Sequence, residues 1–298
     1  MGLLTSCAST VTAKQTAQVY YDLGNAYSRL GEQDKATAAY LNALKLDSSL
    51  LQASYNLARA YIESGSFAKA VGLLEGLLSK DPENLTVLDT LGYAYYKEGD
   101  GTRALGYYDQ VLALSPVDEN ALYNRSMILS EEGKGQEAID GFQKLYSIST
   151  DPNLLLLLGK LELSDKKPDK GIHYLEAYRV AKPDDFDGLK VLADAYRSEK
   201  LYDKALSAYD AAIAIKPTDS GVLFSKAEIL LTAIQDEANG LKALKAALDS
   251  GFADRKAINT LLANPELVGK HAIETLLESK NLLDAQPSRS PATPPSKG

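Results

Sequence analysis

The chain has no tryptophan, one cysteine, two histidines and two methionines in 298 residues. A single thiol, Cys7, excludes any intrachain disulfide. His173 and His271 stand far apart with no cysteine near either, so the clustered N and S ligands of a zinc site are missing. No apolar run approaches the ~20 residues that a membrane-spanning helix requires. Positive charge is also scarce: 32 Lys and Arg against 40 Asp and Glu leave a net charge of −8. Non-specific nucleic-acid binding depends on neutralising phosphates, so this balance argues against it. No P-loop, dinucleotide-binding glycine motif or nucleophile–histidine arrangement is present. The sequence therefore assigns no catalytic residue, no metal site and no cofactor, and the chain reads as non-enzymatic.

What the chain does have is self-similarity. Leu23, Leu57, Leu91, Leu158 and Leu192 share one register, at steps of 34, 34, 67 and 34 residues. The double step conceals a further unit anchored at Arg125 and Ser126, one residue shorter than the others. A small residue follows this register each time: Gly24, Ala58, Gly92, Ser126, Gly159, Ala193 and Ala227. Three residues on comes a large group (Tyr27, Tyr61, Tyr95, Leu129, Tyr196, Leu230), with Glu162 as the exception. A second small position (Ala36, Ala70, Ala104, Ala138, Gly171, Ala205) is followed four residues later by Tyr40, Leu74, Tyr108, Phe142, Leu175 and Tyr209. Offsets of three and four define one apolar stripe per helix, so each unit reads as two short helices. Gly31, Gly65, Gly99 and Gly133 fall where the first helix must stop, and Pro82, Pro116, Pro183 and Pro217 where the second ends. Helices of about a dozen residues are marginal alone, so stability must come from stacked neighbours.

The segment from Tyr20 to Tyr27, followed by Gly31, Ala36, Tyr40 and Ala43, resembles the tetratricopeptide repeat, as does Leu189 to Pro217. The resemblance covers roughly residues 17–250 and implies an all-α, right-handed α-solenoid of about seven helix pairs. The units are expected at 17–50, 51–84, 85–118, 119–151, 152–185, 186–219 and 220–250. Capping helices are expected over 251–285, one of them starting at Asn264–Pro265, with a disordered tail over 286–298.

The resemblance also implies a concave groove lined by the first helices. At its lining positions the first four units carry Tyr21, Asn25, Tyr55, Arg59, Tyr93, Tyr96, Tyr123 and Met127. The last three carry Lys160, Lys190, Asp194, Arg197 and Glu228 there, with no tyrosine. Tyrosine joins a large apolar body to a polar tip at small entropy cost, which suits adaptable recognition; the alternative is that, with 18 tyrosines in the chain, some of these only pack between neighbouring first helices. Tyr27, Tyr61, Tyr95, Tyr108, Tyr196 and Tyr209 match core positions instead. Members of the family that clamp a C-terminal carboxylate use Lys, Asn, Asn, Lys and Arg; the matching positions here are Tyr21, Asn25, Asn56, Thr86 and Thr90. Both asparagines are present and all three cations are absent, which disfavours that mode.

Residues 1–16 contain Leu4-Thr5-Ser6-Cys7, which resembles the lipobox of bacterial lipoproteins. Carried over, Cys7 would be the lipidated N-terminus of an envelope protein of the periplasm or outer membrane. Only Met1 to Leu4 precede the box, far short of the ~7–15 apolar residues of a signal-peptide core. The competing reading is a chance cysteine in a cytoplasmic protein. The expected function is a scaffold binding a protein or peptide segment in the groove. A self-assembling envelope lipoprotein and an accessory subunit gripping a small or glycan ligand are the alternatives.

Overall fold

The computed structural model describes residues 2–283, with side chains from Thr12 onward. The side chain of Cys7 and the expected tail over 286–298 lie outside the described residues. Among the described residues the chain is all-helical, with sixteen helices and no strand. It divides into two compact units, Met1–Thr150 and Asp151–Gly298.

The first unit holds four helix pairs: α1 (Gly2–Arg29) with α2 (Gln33–Leu46), α3 (Leu51–Glu63) with α4 (Phe67–Leu78), α5 (Leu85–Glu98) with α6 (Gly101–Leu114), and α7 (Glu119–Glu131) with α8 (Gly135–Ser149). Successive helices pack on one another, and α1, α3, α5 and α7 also meet in series. One cluster of buried side chains therefore crosses pair boundaries, joining Ala58, Leu74, Leu91, Tyr108 and Ile128. Leu23, in the same register as buried Leu57 and Leu91, is 39% exposed because α1 ends the row and packs only against α2 and α3.

The second unit continues with α9 (Pro152–Ser164), α10 (Pro168–Ala181), α11 (Phe186–Ser198), α12 (Tyr202–Ile215), α13 (Ser220–Thr232) and α14 (Glu237–Asp249), followed by the short α15 (Arg255–Leu262) and α16 (Lys270–Ser279). The last helix starts at Lys270, not at Asn264–Pro265 as the sequence suggests. Asn264 Oδ1 accepts from Glu266 N at 2.9 Å and folds the dipeptide into a turn. Val268 N then donates to Leu231 O at 3.0 Å, which ties the segment to α13 before Gly269 turns the chain into α16. Ile273 and Leu277 are thereby buried with Leu223, Leu230, Leu244 and Ile258.

Helix starts follow local chemistry. Asn84, Asp100, Asp118, Asp151, Asp185, Asp219, Asp236 and Asp254 each accept a backbone N–H from the first turn they precede. Turns within pairs differ between the units. The first unit closes all four on glycine, with φ between 74° and 91°, whereas the second puts Lys166, Lys200 and Gln235 at φ 59° to 60°. A side chain held in the left-handed region costs about 1 kcal/mol, so the second unit's turns are locally strained.

The small positions let the paired helices approach. A Cβ built on Gly92 would lie 2.9 Å from the Tyr108 ring, and one on Gly24 would lie 2.5 Å from the Tyr40 ring. Both rings are fully buried, so neither has room to retreat. By contrast, a Cβ on Gly106, mid-way along α6, would meet nothing within 4 Å. Thermal melts of the two alanine variants should therefore diverge in sign. Gly106→Ala is expected to stabilise by roughly 0.5–1 kcal/mol through helix propensity. Gly92→Ala is expected to lose about 1–3 kcal/mol through overpacking, and an equal gain at both sites would show that the Tyr108 contact is not tight.

Candidate functional site

In the first unit the odd-numbered helices present a continuous row of side chains, tied together by polar links. Asn56 on α3 donates through Nδ2 to Asn25 Oδ1 on α1 at 2.8 Å and, more weakly, to the Tyr21 hydroxyl at 3.4 Å. The Tyr55 hydroxyl lies 3.0 Å from Thr90 Oγ1 on α5. Thr90 already donates to Thr86 O at 2.7 Å, so Tyr55 is the donor in this contact. The Tyr96 hydroxyl donates to Glu131 Oε1 on α7 at 2.8 Å, and this bond to a carboxylate holds the Tyr96 pKa above its ordinary value. Tyr40 reaches the row from α2, and its hydroxyl donates to the same Asn25 Oδ1 at 2.8 Å. Burial is the main cause of the raised Tyr40 pKa.

Two clefts flank this network. One, of about 420 Å³, is lined by Tyr21, Leu51, Tyr55, Leu77 and Val87 with Lys80, Asp81 and Asn84 at polar positions. The other, of about 510 Å³, is polar and lined by Asn25, Ser28, Arg29, Gln33, Asn56, Arg59 and Glu63, with Tyr40. Asn56 belongs to both linings.

Comparison with known proteins bears on this architecture directly. Models of the tetratricopeptide repeat match residues 17–50, 53–86, 90–152 and 156–220. The chain belongs to the tetratricopeptide-repeat family. The C-terminal part of a repeat-containing protein from Cytophaga hutchinsonii aligns over 80% of this chain and 98% of its own, at 17% identity and a TM-score of 0.71. A tetratricopeptide repeat protein from Parabacteroides merdae aligns over 90% and 99%, at 17% identity and a TM-score of 0.58. The repeat protein YrrB, described as having an unusual peptide-binding site, aligns over 63% and 96%, at 18% identity and a TM-score of 0.55. At these identities the likeness shows the fold. No curated protein matches the chain.

Within the repeats, the expected groove residues separate into two groups. Tyr21, Asn25, Tyr55 and Arg59 come together around the two clefts. Tyr93 and Tyr123 approach Tyr96 closely enough to act on its charge, further along the row. Tyr123 is 44% exposed and stacks edge-on against Phe142 at 5.8 Å, while Lys97 Nζ sits 5.7 Å over the Tyr93 ring. Met127 is half-buried on α7 and lines neither cleft. Asn25 and Asn56, which the resemblance links to a carboxylate clamp, bond to each other. Tyr27 and Tyr61, expected in the core, are only half-buried, because each ring also supports a lysine, Lys35 and Lys69, at 5.4 Å. Arg29, Gln33 and Glu63 are additions from the structure. They sit near the turn that joins each pair, outside the offsets that mark the groove in sequence.

Three of the second unit's groove positions, Asp194, Arg197 and Glu228, neutralise one another, while Lys160 and Lys190 form no ion pair among the described residues. Arg197 Nη1 donates to Glu228 Oε2 at 2.6 Å and also lies 3.8 Å from Asp194, which accepts from the Tyr209 hydroxyl at 2.5 Å. Among the described residues no group of three His, Cys, Asp or Glu side chains is placed to hold a metal ion.

Asp89, on α5 between the two groups, was not legible as special. Burial, and then the charge of Asp118, push its carboxyl up to about 6, and its Oδ1 is buried without a hydrogen-bond partner among the described residues. Its unfolded value is near 3.8, so the folded chain binds this proton more tightly. The resulting stability is present below about pH 4 and is lost as pH rises through about 6. Asp89→Asn is therefore expected to raise the melting temperature by a few degrees at pH 7.5, from roughly 1–2 kcal/mol after allowing for partial solvation, with the gain vanishing by pH 4. A gain that does not change between pH 4 and pH 7.5 would contradict this account of Asp89.

Proposed function

We propose that the protein is a non-enzymatic scaffold whose first unit holds a polypeptide segment on the face formed by α1, α3, α5 and α7. The observation that carries this reading is the pair of clefts on either side of Asn56, one apolar and framed by tyrosines, the other polar. Together they offer what an extended segment needs: recesses for apolar side chains beside groups that bond to polar ones. The tyrosine hydroxyls at Tyr55 and Tyr96 are already bonded to neighbouring helices, so their rings are fixed before any partner arrives. Fixed aromatic surface lowers the ordering cost of binding. The peptide-binding site described for YrrB, on the same fold, supports this reading. The mutual pairing of Asp194, Arg197 and Glu228 favours a supporting role for the second unit.

Pull-down with the full chain tests the proposal. Tyr55→Ala and Tyr93→Ala are each expected to reduce partner recovery about tenfold or more, the usual loss at an aromatic anchor. Tyr55→Phe, which removes only the hydroxyl, is expected to lose far less. Unchanged recovery with both alanine variants, each verified as helical and folded, would remove the groove from the account.

A further inference from the structure

The polar cleft between the first two repeats contains two arginines that the fold leaves without a counter-ion. Arg29 donates through Nε to Asn25 O at 3.3 Å and forms no ion pair among the described residues. Arg59 forms neither an ion pair nor a hydrogen bond among them. Three other arginines, Arg103, Arg125 and Arg197, each hold a carboxylate at 2.6 Å, whereas Arg179, like these two, forms no ion pair among the described residues. In a protein with net charge −8, two uncompensated guanidinium groups in one recess make a local reversal of sign. Glu63 is the one acid among the lining residues, and it pairs with neither arginine.

Around these cations the recess is built from fixed donors and dipoles. Asn25 Oδ1 accepts from both Tyr40 and Asn56, which locks the two amides between the arginines' helices. The charge of Arg59 reaches the Tyr40 hydroxyl, so the guanidinium stands close to this network. Guanidinium groups present planar forks that match carboxylates bidentately, whereas a cation such as lysine would act as a point charge. The adjoining cleft, sharing Asn56, is largely apolar and framed by Tyr21, Leu51, Tyr55 and Val87, with the opposed charges of Lys80 and Asp81 also in its lining. A ligand filling both recesses therefore combines an anion with apolar groups a short distance along the chain.

We propose that Arg29 and Arg59 form an anion subsite that takes an Asp or Glu side chain of the polypeptide seated in the adjoining apolar cleft. This deepens the groove reading given above and rests on it. It adds a sequence requirement for the partner: an acidic residue within a few positions of an apolar or aromatic anchor.

Selection of a displayed library of random peptides on the full chain tests both levels. Enriched peptides are expected to carry Asp or Glu beside an apolar residue. Exchanging that acid for its amide, or binding to the Arg29→Gln/Arg59→Gln double variant, should each weaken affinity about tenfold or more, with little further loss when combined. Both arginines are exposed, so the double variant is expected to melt close to wild type. Peptides that require Tyr55 yet bind the double variant as well as wild type would overturn the anion subsite and leave the groove intact. A library with no enriched binder would overturn the groove reading and this one together. Saturable thermal stabilisation by inorganic phosphate alone at submillimolar concentration, lost in the double variant, would make a free anion the ligand and overturn the side-chain assignment.

Discussion

Two helix backbones approach closely only where a side chain is small or missing, and that constraint organises each repeat. Tyr40 and Tyr108 fill the space that Gly24 and Gly92 leave open, and a single added methyl at either glycine would collide with a ring. The same arrangement recurs with Leu175 against Gly159. Each short helix is marginal by itself, so the contact between a small position and the bulky side chain opposite is what makes a pair, and pairs then bury their remaining apolar stripes on the next pair. Without that approach, the odd-numbered helices would not stand close enough for Asn25 to meet Asn56 or Tyr55 to meet Thr90.

Two of the packing tyrosines also reach the odd-numbered helices through their hydroxyls. Tyr40 ends at Asn25 and Tyr209 ends at Asp194, both fifteen residues earlier in the chain. In the third repeat the equivalent position is Tyr93, to which the Tyr108 hydroxyl makes no hydrogen bond among the described residues; it is buried under the influence of the Asp89 charge and of the Asn124 side chain. Asp89 and Tyr108 thus make the middle of the first unit one of the places where buried polarity is uncompensated among the described residues. Elsewhere the outer face of the pairs uses a different device. Lys35, Lys69, Arg103 and Lys204 each cover the tyrosine eight residues before them, and so shield rings that the core does not fully enclose.

Features that depend on local chemistry or on periodicity were legible in the sequence. The small and large positions and the glycine turns of the first four pairs all follow from spacing and residue type. Features that depend on which chains of atoms meet across helices were not. The polar recess requires Arg29 and Gln33, which lie near a turn, to converge with Arg59 of the next repeat. Asn264–Pro265 carries a helix-start signature, yet the tie from Val268 to Leu231 makes it a turn and delays the helix to Lys270. Glu162 breaks the apolar pattern and is nevertheless buried, with one carboxylate oxygen unbonded among the described residues; periodicity gives no account of that choice.

The central claim is that a polypeptide lies on the α1–α3–α5–α7 face of the first unit. Site-specific photo-crosslinking in cells tests it most directly, with a benzophenone amino acid placed in turn at Gln52 and Ser28, in the linings of the two clefts, and at Gly72 and Gly76 on α4, where a side chain would meet open space. The account predicts protein adducts from Gln52 and Ser28 and little from Gly72 or Gly76. Adducts confined to the α4 positions would contradict it.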